Sequence, residues 1–345
     1  MTLIRKIVRN IISGYNNWVD KISKVSNIIT KLLIIILFLL ISNVTLLCII
    51  IKPEDDAVSE ATSVVSDAAL VCREETDMKS EDVNASEENK TPVSNTEGEI
   101  MYFNDVTGAQ YEMTIDPSAA RHNYDVGAYS ITNGRFTYND DQYTSRLGID
   151  VSHHQGKIKW KKVASDGIEF AMVRIGFRGY GSEGRLVADK YGKRNIKKAK
   201  EAGLDVGVYF FSQAVNEDEA REEARMVLDL LGGTKLDLPV VFDPESIPDD
   251  NARTDNVTGE QFTKNCLAFC EVIREAGYEP MIYSNMIWEA YKLDMGSLQG
   301  IPIWYADYQR IPQTPYDYCM WQYSESGRVA GVEGGCDMDI QVVRR

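Results

Sequence analysis

From residue 147 to the end of the chain, apolar runs of strand type alternate with amphipathic helical patterns. That alternation limits the fold more than any other feature of the 345 residues. Strands are expected at 147–151, 170–175, 206–211, 238–242, 280–283 and 301–306, and helices at 160–165, 191–202, 217–231 and 259–276. Ala202-Gly203 and Ala276-Gly277 are helix stops, each followed shortly by a strand. Alternation of this kind predicts parallel strands joined by right-handed crossovers. About eight strands over roughly 200 residues favour a β/α barrel over an open doubly wound sheet. No GxGxxG follows a strand, so a dinucleotide fold has no support.

One strand carries chemistry. Val240-Val241-Phe242-Asp243-Pro244-Glu245 begins as a buried strand and then sets two carboxylates two residues apart. Alternate strand residues face the same side, so Asp243 and Glu245 point together. Pro244, with no N–H to donate, suits the end of a strand. Convergent carboxylates at the mouth of a sheet are what glycosidic cleavage needs: one protonated for the leaving oxygen, one to stabilise positive charge at the sugar carbon. The alternative is a helix N-cap followed by an acidic first turn. Other strands also end in acids or rings: Asp150 and Ser152, Tyr209 to Phe211, Tyr283, Trp304 and Asp307, Trp321 to Tyr323, Asp337 and Asp339. In a barrel the C-terminal strand ends share one mouth. Acids among aromatics there suit a sugar, whose apolar faces stack on rings while its hydroxyls meet carboxylates. His153 and His154 beside Asp150 lack an evident third ligand, so no metal and no other cofactor is expected.

The first third of the chain is of another kind. Residues 1–31 carry Arg5, Lys6, Arg9, Lys21, Lys24 and Lys31 against Asp20, with Ile4, Ile7, Val8, Ile11 and Ile12 at helical spacing. They read either as an amphipathic helix on an anionic membrane surface or as a plain cytoplasmic tail. Residues 32–51 hold no charge and are long enough to cross a bilayer as a helix. A cleaved signal peptide would have shorter basic and apolar regions and a small-residue cleavage site, so an uncleaved anchor is expected. Positive charge ahead of it keeps the N-terminus in the cytoplasm and exports the rest. Residues 52–100, rich in Glu, Asp, Ser, Thr and Asn, read as a disordered acidic linker. Residues 101–146 regain aromatics, with turns at Thr107-Gly108 and Asn133-Gly134, and are expected to form a small β-rich extension.

The net charge of −15 argues against a nucleic-acid partner. The six cysteines show no zinc spacing. Cys319 and Cys336 flank an expected hairpin turning near Ser326-Gly327 and are candidates for a disulfide, with two buried thiols as the alternative. Cys266 and Cys270, four apart on one helix, are expected to be core thiols.

Gly148-Ile149-Asp150-Val151-Ser152-His153-His154-Gln155-Gly156 resembles the opening signature of the family 25 glycoside hydrolases, the Chalaropsis-type lysozymes. Further matches follow in the family's order: Ala202 to Phe211, Val241 to Glu245, Ile303 to Tyr308, Trp321-Gln322-Tyr323-Ser324 and Asp337-Met338-Asp339. The resemblance covers residues 147–345. It implies an α/β fold, an irregular TIM-like β/α barrel of five β/α units plus three further strands, here preceded by a transmembrane helix and a disordered linker. It also implies hydrolysis of the β-1,4 bond between N-acetylmuramic acid and N-acetylglucosamine in peptidoglycan. By the same resemblance, Glu245 would be the general acid/base, Asp243 would orient the substrate's N-acetyl group, and Asp150 and Asp337 would complete the acidic pocket. Tyr209, Tyr283, Trp304, Asp307, Tyr308 and Gln322 would bind substrate. Pro244, Asp339 and His154 depart from residues usual in the family but remove no catalytic carboxylate. With the anchor, the expectation is a single-pass muramidase outside the cell membrane, facing the wall and remodelling it. The alternatives are a wall-binding scaffold and a hydrolase of another sugar polymer.

Overall fold

The computed structural model describes residues 98–247 and 251–345. The expected basic tail (1–31), membrane anchor (32–51) and nearly all of the acidic linker (52–100) lie outside the described residues. No described helix is long and apolar enough to cross a membrane.

Two antiparallel hairpins come first, β1 (Ile100–Asn104) with β2 (Gln110–Thr114) and β3 (Tyr129–Thr132) with β4 (Arg135–Tyr138). Asn133 and Gly134 both take positive φ, as the tight turn between β3 and β4 requires. The barrel follows. β5 (Tyr143–Val151) leads to α1 (Trp160–Ser165), then β6 (Phe170–Arg178), a short β7 (Leu186–Ala188) and α2 (Gly192–Glu201). β8 (Asp205–Ser212) leads to α3 (Glu217–Leu231), β9 (Val240–Pro244) to α4 (Gly259–Glu275), and β10 (Pro280–Asn285) to α5 (Met286–Tyr291). Three strands without helices finish the chain: β11 (Ile303–Ala306), β12 (Met320–Gly327) and β13 (Cys336–Arg344).

Among the described residues, eight strands close the barrel in the order β5, β6, β8, β9, β10, β11, β12, β13, and β13 pairs back to β5. β7 only extends one edge, antiparallel to β6. The barrel strands run parallel except β13, which is antiparallel to both neighbours. β5 starts at Tyr143, ahead of the expected boundary at 147, because its first half pairs with Val342 to Arg344 at the end of β13.

The side chains divide by strand parity. Phe170, Met172, Val241, Met281, Trp304 and Met320 pack together inside the barrel. Two glycines make room for them: a Cβ on Gly148 would lie 2.1 Å from the Phe170 ring, and one on Gly207 would lie 2.6 Å from Met172 Cε. Outward-facing residues such as Phe210 and Phe242 pack beneath the helices, Phe242 against Phe269 with ring centroids 4.9 Å apart. Where β11 to β13 lack helices, the N-terminal segment covers them. Phe136 of β4 stacks on Trp321 and Tyr323 of β12 at 4.8 and 5.1 Å.

The Cys319–Cys336 disulfide does not form; both thiols are free. Cys336 pairs with Gly327 at one end of the β12–β13 hairpin. Cys319 lies beyond the other end, where its carbonyl accepts from Val342 N–H. At about 3.3 Å per strand residue the two stand roughly 20 Å apart, beyond the reach of a disulfide. Alkylation of unreduced, denatured protein is expected to label all four of Cys266, Cys270, Cys319 and Cys336. Gly148→Val should cost about 1–3 kcal/mol by overpacking against Phe170, read as a lower urea midpoint.

Candidate active site

β9 aims its carboxylates into the mouth of the barrel. Val241 faces the interior core, so Asp243 shares its side, and Glu245 follows just past the strand end. Both line a cleft of about 470 Å³ together with Asp150, Asp337, Arg174, Tyr209, Tyr283, Trp304, Tyr308 and Gln322. Asp150 ends β5, and Asp337 sits directly opposite it on β13. Because β13 is antiparallel, Asp337 reaches the mouth from the start of its strand. The expected rule, C-terminal strand ends only, therefore does not describe the last acid.

Gln322 ties the site together. Its Nε2 donates to Asp150 Oδ2 at 2.7 Å, and its Oε1 accepts from both Tyr283 and Tyr308 hydroxyls at 2.9 Å. Trp304 Nε1 donates to Asp339 Oδ1 at 2.9 Å. Asp337 stands opposite Asp150 across the β5–β13 pairing, and Asp339 lies close enough for its charge to act on Asp150. Three carboxyl groups this close cannot all ionise cheaply, and Asp339 Oδ2 is buried without a hydrogen-bond partner among the described residues.

The electrostatics follow from burial. Asp150 is lifted well above the usual carboxylate range by burial, then by the charges of Asp337 and Asp339. Burial raises Asp339 as well and pushes Asp337 up to about 6. Asp243 is raised by burial, then by Glu245, with Arg174 opposing. Glu245 is pushed up to about 7, by burial first and then by Asp337, again with Arg174 opposing. Four acids around one pocket cannot all ionise cheaply, and Glu245 is the one set to gain and lose a proton near neutrality. Asp243 Oδ1 is buried without a hydrogen-bond partner among the described residues.

Nine of the ten residues singled out from the sequence meet in this cleft: Asp150, Asp243, Glu245, Asp337, Tyr209, Tyr283, Trp304, Tyr308 and Gln322. Asp307, expected to bind substrate, does not join them. Its oxygens accept from Tyr305 OH, Gln309 N–H, Gln313 N–H and Gln313 Nε2, so it fixes the loop after β11. Sequence reasoning passed over Arg174, which brings a guanidinium to the cleft, and Glu325. Arg174 is in phase with the inward-facing Phe170 and Met172 of β6, and strand alternation would have found it. Its Nε donates to buried Asp189 at 3.0 Å, and its guanidinium meets His153 Nδ1. A guanidinium held there opposes a cation, so His153 serves the Arg174–Asp189 contact. Among the described residues no three His, Cys, Asp or Glu side chains gather to hold a metal ion.

Residues 149–332 match the model of the glycosyl hydrolases family 25. The Escherichia coli K12 protein YegX is 30% identical over 202 residues, spanning 56% of this chain and 68% of that protein. The autolytic lysozyme of Clostridium acetobutylicum is 27% identical over 194 residues, spanning 56% of this chain and 54% of that one. The modular autolysin LytC of Streptococcus pneumoniae, solved with a synthetic peptidoglycan ligand, superposes with a TM-score of 0.53 at 21% identity. That match covers 69% of this chain and 56% of LytC, and it is a likeness of fold. This chain thus spans only about half the length of the autolytic lysozyme and of LytC. With a family model matching more than half of its residues, the chain belongs to family 25 of the glycosyl hydrolases.

Proposed function

We propose that the protein is a peptidoglycan hydrolase, an N-acetylmuramidase that cleaves the β-1,4 bond between N-acetylmuramic acid and N-acetylglucosamine. The observation that carries this reading is the pair at the end of β9. Glu245 holds a proton up to about pH 7, beside a buried Asp243 oxygen that no protein donor satisfies. A buried acceptor left open in a cleft asks for a donor from the substrate. The N–H of a sugar's acetamide is such a donor.

Glu245 protonates the glycosidic oxygen as the bond to the anomeric carbon breaks. Asp243 accepts from the acetamide N–H and turns the acetamide oxygen toward the carbon that becomes positive. Glu245, now ionised, takes a proton from the water that completes hydrolysis. Tyr209, Tyr283 and Trp304 offer ring surface to the sugar. The relatives named lysozyme and autolysin support the same substrate class.

The test is release of new reducing ends from purified peptidoglycan, with the ends identified by mass spectrometry. N-acetylmuramic acid ends are expected, and Glu245→Gln should lower the rate by about 10²–10⁴-fold. Binding without release would replace the enzyme reading with that of a scaffold, and a different sugar end would replace the substrate. In the unaltered protein kcat/KM should fall as pH rises through about 7, where Glu245 loses its proton.

Stability follows the same proton. The folded carboxyl titrates near 7 and the unfolded one near 4.5, so only the native state is protonated between them. Stability should fall as pH rises across that window and level off above it. Glu245→Gln should flatten the dependence and raise the thermal midpoint at pH 8, measured by calorimetry.

The same reading includes a membrane tether through residues 32–51, supported by their lack of charge and the basic residues before them. The catalytic domain then acts on the wall from the outer face of the membrane, which favours remodelling over release as a free lytic enzyme. Expressed in full, the protein should leave the membrane fraction with detergent but not with carbonate. Extraction by carbonate alone would rule out the span.

A further inference from the structure

Two hollows meet at Glu245. One is the acid-lined cleft. The other, of about 450 Å³, shares Glu245, Tyr283 and Tyr308 with it. Beyond those shared residues, α5 and the loop after β11 line it, and two further sources complete its walls. The ends of β10 and β11 supply Asn285 and Ala306, and the turn of the β1–β2 hairpin supplies Phe103, Asn104, Asp105 and Val106. The hairpin lies outside the residues that match the family, so this wall is a feature of the chain's own N-terminal segment.

The turn is held firmly in place. Asp105 Oδ1 accepts from Thr107 N–H, Thr107 Oγ1 and Ala109 N–H at 2.8, 2.6 and 3.0 Å. Its Oδ2 accepts from Tyr111 OH at 3.2 Å. Gln313 grips the backbone of Asn104 much as a neighbouring strand would. Its Oε1 accepts from Asn104 N–H and its Nε2 donates to Asn104 O, both at 2.9 Å. The same Nε2 reaches Asp307 Oδ2 at 3.2 Å. The loop after β11 therefore lines the hollow and clamps the hairpin at once.

With Asp105 and the Asn104 backbone engaged, two exposed side-chain groups of the hairpin border the hollow. One is the Asn104 side-chain amide, which makes no hydrogen bond among the described residues. The other is the Val106 side chain, 71% exposed on the turn. An amide beside an apolar group suits an N-acetyl substituent, the amide meeting its N–H or C=O and the apolar group its methyl.

We propose that the β1–β2 hairpin forms the subsite for the departing sugar and reads its N-acetyl group through Asn104 and Val106. This rests on the glycosidase reading above. The proton from Glu245 goes to the oxygen between two sugars, so one sugar lies on each side of that carboxyl. The hollow with Asp150, Asp243 and Asp337 suits the sugar that becomes positively charged. The other hollow has its acids, Asp105 and Asp307, already occupied by protein donors, and it receives the neutral leaving sugar. Asn104 is a binding residue here, and Gln313 a positioning residue acting through it.

The experiment compares Asn104→Ala and Gln313→Ala with the unaltered full chain on two substrates. One is peptidoglycan. The other is the 4-methylumbelliferyl glycoside of N-acetylmuramic acid, whose aryl leaving group carries no acetamide. In both variants kcat/KM should fall about tenfold further on peptidoglycan than on the aryl glycoside, mainly through KM, the equivalent of about 1.4 kcal/mol. Equal losses on both substrates, or no loss on either, would overturn the proposal. If the unaltered chain cleaves neither substrate, the glycosidase reading itself fails, and titration calorimetry with the disaccharide N-acetylmuramyl-β-1,4-N-acetylglucosamine decides about the hairpin. Weaker binding by Asn104→Ala would keep the subsite, and equal binding would remove it.

Discussion

Carboxylates buried together at one end of a barrel repel one another and lose their water, and the surroundings of this site answer both costs. Asp150, Asp337 and Asp339 gather across the β5–β13 pairing, and burial there raises all three above the usual carboxylate range. Gln322 donates an N–H to Asp150 and Trp304 donates one to Asp339 Oδ1, while Asp339 Oδ2 is left without a partner among the described residues. Arg174 brings a positive charge near Asp243 and Glu245, and its own attachment to Asp189 limits how far it can pull their protons away. The outcome is a graded set, with some acids kept neutral, Asp337 near 6 and Glu245 near 7. A carboxyl group that gains and loses its proton near neutrality comes from this arrangement as a whole, and no single contact supplies it.

The barrel places these groups by parity and register. Inward residues of β9, β6 and β10 alternate between apolar side chains low in the barrel and functional ones at the mouth: Val241 then Asp243, Met172 then Arg174, Met281 then Tyr283. The glycines at 148 and 207 let Phe170 and Met172 fill the floor, so the cleft stops where the acids begin. The reversal of the last strand matters as much. It brings Asp337 opposite Asp150, a pairing that a parallel strand could not make after so short a connection from β12, because parallel strands need a longer crossover.

The N-terminal segment does two jobs for the same domain. Its second hairpin covers the outer faces of the helix-free strands, where Trp321 and Tyr323 would otherwise meet water. Its first hairpin is fastened through Gln313 to the loop that Asp307 organises beside the catalytic mouth. Asp307 thus influences the site without facing the acid-lined cleft, by fixing the backbone to which the hairpin is tied.

The order of strands and helices, the barrel class and most of the cleft were legible in the sequence, because burial imposes a period and strand ends carry functional groups. Asp243 and Glu245 could be paired from a spacing of two alone. What could not be read depended on partners distant in the chain. Strand direction at β13 is set by its pairing with β5 and β12, and nothing in Asp337-Met338-Asp339 itself encodes it. The spacing of Cys319 and Cys336 suggested a closed loop, yet a long hairpin register holds them at opposite ends. Asp307 looked like its neighbours in sequence, and only the fold showed its oxygens already taken. The sequence by itself determined which residues alternate inward and which acids reach strand ends, since those are local consequences of backbone geometry. Tertiary structure alone decided which acids lie together, which are occupied and which hairpin walls the neighbouring hollow, since each depends on contacts between segments far apart in the chain.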